Sequence, residues 1–409
     1  MGEIMYRTTK FNLNRLINIL VFFFIFVTFF TRIEEGATVL RIALNIIIIV
    51  FIIFLLHKNT FRIIFTSELF FYFAFLVTAA LSIYQSKNII DSAFIVVKMS
   101  GVFIMIFFIA QYIFFTGKYH LIFYSYIITS IIALIYYALH IVYNGYYTYL
   151  FQGVNTDQLR YLMFIGNNPN YVGMTFSYAL FFLIVEDKIK KAWCKYLLIS
   201  FLFIGILITG SRKALLSVAI LLFLYFFIRS ENKLRLTIYF LIVLSIVALS
   251  LIYIPVIYNT IGWRLIGMFS VFSDEIVYES SANYRFKMLI EGLELIKQKP
   301  LLGYGIDSYR YVQNIQGVNT YSHNNFIEIT VGVGVIGLIC YSMFFVGLLV
   351  KNLKLEVKKK SIVLPILINL LIMGSASVQY RSPDTFLLVI MSMVFNYEFL
   401  ESKRIDEYY

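Results

Sequence analysis

The chain has 409 residues, of which 61% are hydrophobic and 14% charged, and its formal net charge is +12. Soluble domains carry roughly a quarter charged residues, so this composition excludes a soluble enzyme and describes a polytopic, all-α integral membrane protein. Most of the positive charge belongs to loops on one side of the predicted spans, which argues against nucleic-acid binding.

At about 17 to 25 residues per crossing, the apolar runs predict spans near 16–31, 39–56, 67–84, 92–115, 119–143, 161–185, 195–209, 214–228, 235–256, 324–350, 361–379 and 385–400. About twelve spans place both termini on one side. The first run lacks a small-residue cleavage site after it, so no cleavable signal peptide is expected. The two cysteines, Cys194 and Cys340, fall in a charged loop and in a span, and suggest neither a disulfide framework nor a metal cluster.

The terminal segments and the loops at 57–66, 116–118, 186–195, 229–235 and 351–360 hold the larger share of the 34 lysines and arginines. The positive-inside rule makes that side cytoplasmic. The long segment 257–322, between spans nine and ten, is then a large outer loop on a single polytopic domain, 1–409. Within it, 281–299 reads as an amphipathic helix: Phe286, Leu289, Ile290, Leu293 and Ile296 recur at helical spacing, and Pro300, Gly303 and Gly305 end it. Such a helix would lie on the membrane or roof a cavity. Lys287, Glu291, Glu294, Lys297 and Lys299 read as its solvated face.

Polar residues collect at the outer ends of the spans. Gly166-Asn167-Asn168-Pro169-Asn170 opens span six with amides for substrate contact or for helix packing. The turn Gly210-Ser211-Arg212-Lys213 joins spans seven and eight. Arg212 lies about 25 Å of helix from Lys195, against a hydrocarbon core of about 30 Å, so it sits below the outer surface as a functional arginine or a snorkelling anchor. Arg285 stands near the start of the outer helix. His323-Asn324 marks the entry to span ten, and Glu328 lies further into it, either orienting another polar group or bonding between helices. Lys98 is a second charge within a span, suited to an anionic headgroup or an acid. Arg381 and Asp384 have the spacing of a local pair.

Arg212, Arg285 and His323 thus come from three places on one face. Guanidinium forks suit a pyrophosphate, and imidazole suits taking a proton from a hydroxyl. The substrate so described is a lipid-linked pyrophosphate at the outer headgroup level.

At these residues the chain resembles the O-antigen ligase and O-antigen polymerase family of bacterial envelope enzymes, over roughly 160–350. The resemblance is carried by the asparagine run, by Gly210-Ser211-Arg212 and by Arg285 through Pro300-Leu301-Leu302-Gly303-Tyr304-Gly305. Its strongest part is His323-Asn324 followed by Gly334-Val335-Ile336-Gly337. It implies a GT-C-like fold and metal-independent, inverting transfer of glycan from undecaprenyl pyrophosphate, with no cofactor, on the outer face of the bacterial cytoplasmic membrane. Arg212 and Arg285 would hold the pyrophosphate and His323 would orient or deprotonate the acceptor. Asn167, Asn168, Asn170, Ser211, Lys213, Asn324 and Glu328 would contact substrate.

The Tyr-Ser-His-Asn-Asn-Phe-Ile-Glu run looks more like polymerases of O-antigen or capsule repeat units, for which a chain-length regulator is an expected partner. A ligase that moves finished glycan to lipid A-core is the alternative. A lipid-linked glycan flippase is the reading from another class, kept open by Lys98. Glu34-Glu35 keeps open a metal-dependent transferase.

Overall fold

The computed structural model describes residues 15–28, 46–47, 49–50, 53, 63–152, 157–165, 167–186, 189, 191–255, 258, 262, 280–315 and 320–408. Every regular element among them is helical. In chain order these are α1 (Arg15–Thr28), α2 (Ser67–Ser82), α3 (Ile89–Thr116), α4 (His120–Tyr143), α5 (Tyr147–Gln152), α6 (Asp157–Met163), α7 (Pro169–Val185), α8 (Ala192–Ile208), α9 (Arg212–Arg229) and α10 (Lys233–Tyr253). They continue with α11 (Ser280–Gln298), α12 (Tyr309–Val312), α13 (Asn325–Leu353), α14 (Val357–Gly374) and α15 (Pro383–Tyr408).

Among the described residues, α2 with its following turn, α3, α4, α10 and α13 are long and apolar enough to cross a membrane. Shorter apolar helices occur at Arg15–Thr28, Pro169–Val185, Ala192–Ile208 and Pro383–Tyr397. This fits a helical integral membrane protein. The predicted span at 39–56 and the pair Glu34-Glu35 lie mostly or wholly outside the described residues, as do 256–257, 263–279 and 316–319 of the long loop. The span expected from 161 starts instead at Pro169, because Pro169 suits the first helical position and Asn168 caps it.

Polar side chains sit at the helix starts, where backbone donors lack partners. Thr66, Asn88, Asn168, Ser211, Asn232 and Asn324 each accept a backbone N–H at the N-terminus of the helix that follows.

The chain divides into two compact units, Met1–Asn59 with Lys118–Val277, and Thr60–Gly117 with Tyr278–Tyr409. In the first, α7 is the central helix and packs on α4, α8 and α9. Its apolar residues are buried on nearly every side, including Phe176, Phe181 and Phe182, and Phe182 stacks on Phe123 at 4.6 Å. By contrast α10 buries only Leu251, as expected of a helix bathed in lipid.

In the second unit α13 lies along α2, and α15 lies along α3. An aromatic cluster of Tyr72, Phe75, Phe103, Tyr341, Phe344 and Phe386 fills the space between them. At the far end of α13, Lys351 pairs with the buried Glu68 at 2.5 Å and so neutralises a charge that burial would otherwise make costly.

The helix α13 is broken at Gly334, whose φ is 71° and ψ −174°. The preceding loop completes the hydrogen bonding at the break. Val331 O accepts from Tyr304 N–H and Gly332 O from Gly305 N–H, while Val335 N–H donates to Pro300 O, each at 2.8 Å. In a regular helix Val335 N–H would bond Val331 O. Here the loop 300–305 takes both groups, so backbone polarity at membrane depth stays paired. This close approach needs glycine: a Cβ on Gly334 would collide with the Leu301 carbonyl, and one on Gly303 would stand 2.5 Å from Val331 O.

Candidate active site

The first unit holds the asparagine run and the Gly-Ser-Arg turn. Asn167 is buried and donates to Tyr137 Oη at 3.0 Å. Asn168 caps α7 through the N–H of Asn170, also at 3.0 Å. Asn170 itself is half-buried. Beyond α8, Ser211 is fully buried and caps α9 through Ala214 N–H. Arg212 and Lys213 are the first two residues of α9, and both are half-buried. Ser177 on α7 donates to Ala214 O at 3.0 Å, so the helix after the asparagine run and the helix after the turn are bonded together.

Arg160, which the sequence reading passed over, is buried in α6. Its Nε and Nη2 both donate to Thr209 O, at 3.0 and 2.7 Å. This fork covers a carbonyl at the C-terminus of α8, where partial negative charge gathers, immediately before the Gly-Ser-Arg turn.

In the second unit α11 carries Arg285 within its second turn, half-buried. The expected apolar face of α11 divides in two. Met288 and Leu295, with Leu289 and Ile296 partly covered, pack on Tyr309, Val312, Ile327 and Val331. Phe286, Ile290 and Leu293 are exposed. The core face follows the partners available on α12 and α13. Burial pushes the Tyr309 phenol above its ordinary range, and its hydroxyl donates to Met288 O at 2.7 Å.

His323 stands in the turn before α13 with φ 58°, a left-handed conformation uncommon for a residue with a side chain. Four hydrogen bonds hold the turn. Glu328, 1% exposed, accepts Ser322 N–H at 2.7 Å. Ser322 Oγ donates to Asn324 O at 2.9 Å. Asn324 Oδ1 accepts from Phe326 and Ile327 N–H. The His323 ring is half-buried, its centroid 4.4 Å from that of Tyr321. Glu328 therefore bonds the backbone of the turn.

The next residue, Asn325, ties this turn to the loop after α14: its Oδ1 accepts from Gln379 and Tyr380 N–H at 2.7 and 2.8 Å. That loop carries Arg381. The structure gives Arg381 a long-range partner, Asp307 Oδ1, at 2.7 Å. The other Asp307 oxygen pairs with Arg310. Burial works against the Arg381 charge, but Tyr380, Asp307, Glu328 and Tyr321 outweigh it, so the guanidinium is held above its ordinary pKa. Asp307 also has a left-handed backbone, with φ 60°. Its segment is stitched to the α2–α3 corner by Ser82, which accepts Ile306 N–H, by Ser86, which meets Ser308, and by Ser92, which donates to Ile306 O.

Among the described residues no group of three histidine, cysteine or acidic side chains is placed to hold a metal. Lys98 is exposed on α3.

A comparison with curated proteins found no match. Residues 197–342 match the family model described as O-antigen ligase. That stretch contains Ser211, Arg212, Lys213, Arg285, His323, Asn324, Glu328 and the broken helix at Gly334. Over residues 197–342 the chain is thus similar to the O-antigen ligase family.

Proposed function

We propose that the protein polymerises lipid-linked oligosaccharide repeat units of an O-antigen or capsule. It transfers glycan from undecaprenyl pyrophosphate to an acceptor sugar hydroxyl on the outer face of the bacterial cytoplasmic membrane. The observation that carries this reading is the His323 turn: an imidazole in a strained backbone conformation, fixed by a buried carboxylate and an asparagine cap at the mouth of a membrane helix. Strain of this kind gathers at functional sites.

In this reaction His323 accepts the proton of the attacking hydroxyl as the oxygen bonds the anomeric carbon. The bond from that carbon to the pyrophosphate oxygen breaks, and the electron pair leaves with the diphosphate. Arg212 and Arg285 offset the charge that develops there. Attack opposite the leaving group inverts the anomeric centre, and no metal is required. The ligase reading is favoured by the description of the matched family, and it uses the same chemistry with lipid A-core as acceptor.

The test is a His323→Ala strain. A polymerase defect leaves single repeat units on the carrier or on lipid A-core and removes the ladder of longer glycans. A ligase defect leaves long polymer on the carrier and none on lipid A-core. A normal ladder with normal surface glycan refutes both.

A further inference from the structure

The geometry points to a membrane-inserted tip: the end of α11 and the loop behind it enter the leaflet at the His323 end of α13, where Leu301 and Leu302 meet phospholipid acyl chains.

Two contacts set the course of this segment. Gly292 on α11 lies so close to Ile327 that a Cβ there would collide with its side chain, and Pro300 O accepts Val335 N–H at 2.8 Å. Eight residues separate Gly292 from Pro300, and eight separate Ile327 from Val335, so α11 and α13 advance together over about 12 Å. A hydrocarbon core of about 30 Å takes about 20 helical residues. A core that ends just before Lys351 therefore begins near residue 331 of α13. Gly334, against which the Leu301 carbonyl packs, is then about 5 Å inside that core.

The side chains at this depth suit lipid. Leu301 and Leu302 are 64% and 53% exposed. The apolar surface continues on α13 at Ile336 and Ile339, both exposed as on any lipid-facing helix. Pro300 O and the Tyr304 and Gly305 N–H groups are bonded to α13, so the loop offers leucine side chains to the bilayer while these backbone groups stay paired. The nearby charges are managed. Lys297, one turn above the tip, pairs with Glu294 at 2.7 Å, and its stem reaches headgroups. Lys299 Nζ lies over the Tyr304 ring, 4.6 Å from its centroid. Phe286 and Leu293 are exposed further up α11, so depth increases from Phe286 through Leu293 to Leu302. An apolar element that enters one leaflet and turns back is a monotopic anchor. Here it is attached to the side of a spanning helix, and the bilayer covers the edge that α12 and α13 leave open.

The experiment measures depth by spin labelling. Single cysteines replace Phe286, Leu293 or Leu302 in the full-length protein lacking Cys194 and Cys340, reconstituted in vesicles of phosphatidylcholine and phosphatidylglycerol. Collisions of each label with oxygen, which enters lipid, are compared with collisions with a water-soluble nickel chelate. The oxygen-to-nickel ratio should be about fivefold or more higher at 302 than at 286, with 293 between them. A nickel-accessible label at 302 places the tip in water and overturns the proposal. A label at 302 screened from both reagents means that protein covers it, whether residues 263–279 of this chain or a second copy, and overturns it equally. Thermal melting checks each labelled variant. The unmodified protein gives a second measurement, in the same vesicles containing a phospholipid with a diazirine midway along its acyl chain and no polyprenyl carrier. Photolysis should attach lipid within 301–302, and a tip peptide free of lipid overturns the proposal whatever the labels report. Neither measurement involves glycan transfer, so the result stands or falls apart from the proposed function.

Discussion

Replacing Gly334 by alanine should uncouple the outer loop from the broken helix. The glycine has φ 71° and ψ −174°, a region essentially closed to other residues, and a side chain held there costs about 1–3 kcal/mol. The new Cβ would also run into the backbone carbonyl of Leu301, which no rotamer change can relieve. If the loop withdraws, three backbone hydrogen bonds go with it, each worth about 0.5–1.5 kcal/mol in net terms, and more where the freed groups lack water. The combined loss is on the order of 3–7 kcal/mol, comparable to the whole stability of many domains. Gly101→Ala is the control, since nothing lies within 4 Å of its Cβ and alanine gains about 0.5–1 kcal/mol in a helix. Thermal melting in detergent, followed by intrinsic fluorescence, should show Gly334→Ala far below wild type and Gly101→Ala at or above it. Limited proteolysis should cut the Gly334→Ala protein within 299–304. Wild-type melting and protease resistance in Gly334→Ala would refute the account of the break.

Arg212→Lys keeps a charge but loses the fork, so transfer should fall strongly while the protein still purifies; full activity would make Arg212 a snorkelling anchor. EDTA should leave wild-type transfer unchanged, and inhibition by chelation would restore the metal reading of Glu34-Glu35. Glu328→Ala leaves Ser322 N–H buried without an acceptor, at about 1–3 kcal/mol, whereas Glu328→Gln keeps an acceptor oxygen; transfer should drop in the first much more than in the second. Equal loss in both would mean that the carboxylate charge itself is needed. Sidedness is tested in a protein lacking Cys194 and Cys340, by labelling intact spheroplasts with an impermeant thiol reagent. The exposed Lys297→Cys should react and the exposed Glu231→Cys should not, and the reverse pattern rejects the assigned topology. Ser308 would be a poor probe, because it is fully buried.

The helices were legible because lipid demands long apolar runs, and Asn88, Ser211 and Asn324 mark their starts by capping chemistry. The start at Pro169 was less legible, since apolar residues continue upstream through Tyr161, Leu162 and Met163 into a separate short helix. His323 and the glycines after it were legible as a motif. That Gly334 breaks the helix, and that Pro300 to Gly305 completes the break, depends on a pairing between segments some thirty residues apart that leaves no periodic trace. Arg381 illustrates the same limit. Its pairing with the buried Asp307 crosses the loops, and burial is invisible to spacing. Arg160 stood just before the span expected from 161, and only the carbonyl it covers gives it a role.

The broken helix has a consequence for the order in which the protein is made. The loop that completes its hydrogen bonding precedes it in the chain, so residues 300–305 leave the ribosome before Gly332 and Val335 do. The donors and acceptors that the break requires are therefore already synthesised when the helix enters the bilayer, and the interruption need never face lipid bare. Reversing the order of the two segments would expose it, so a circular permutant opened between 305 and 325 should insert poorly even with every folded-state contact available.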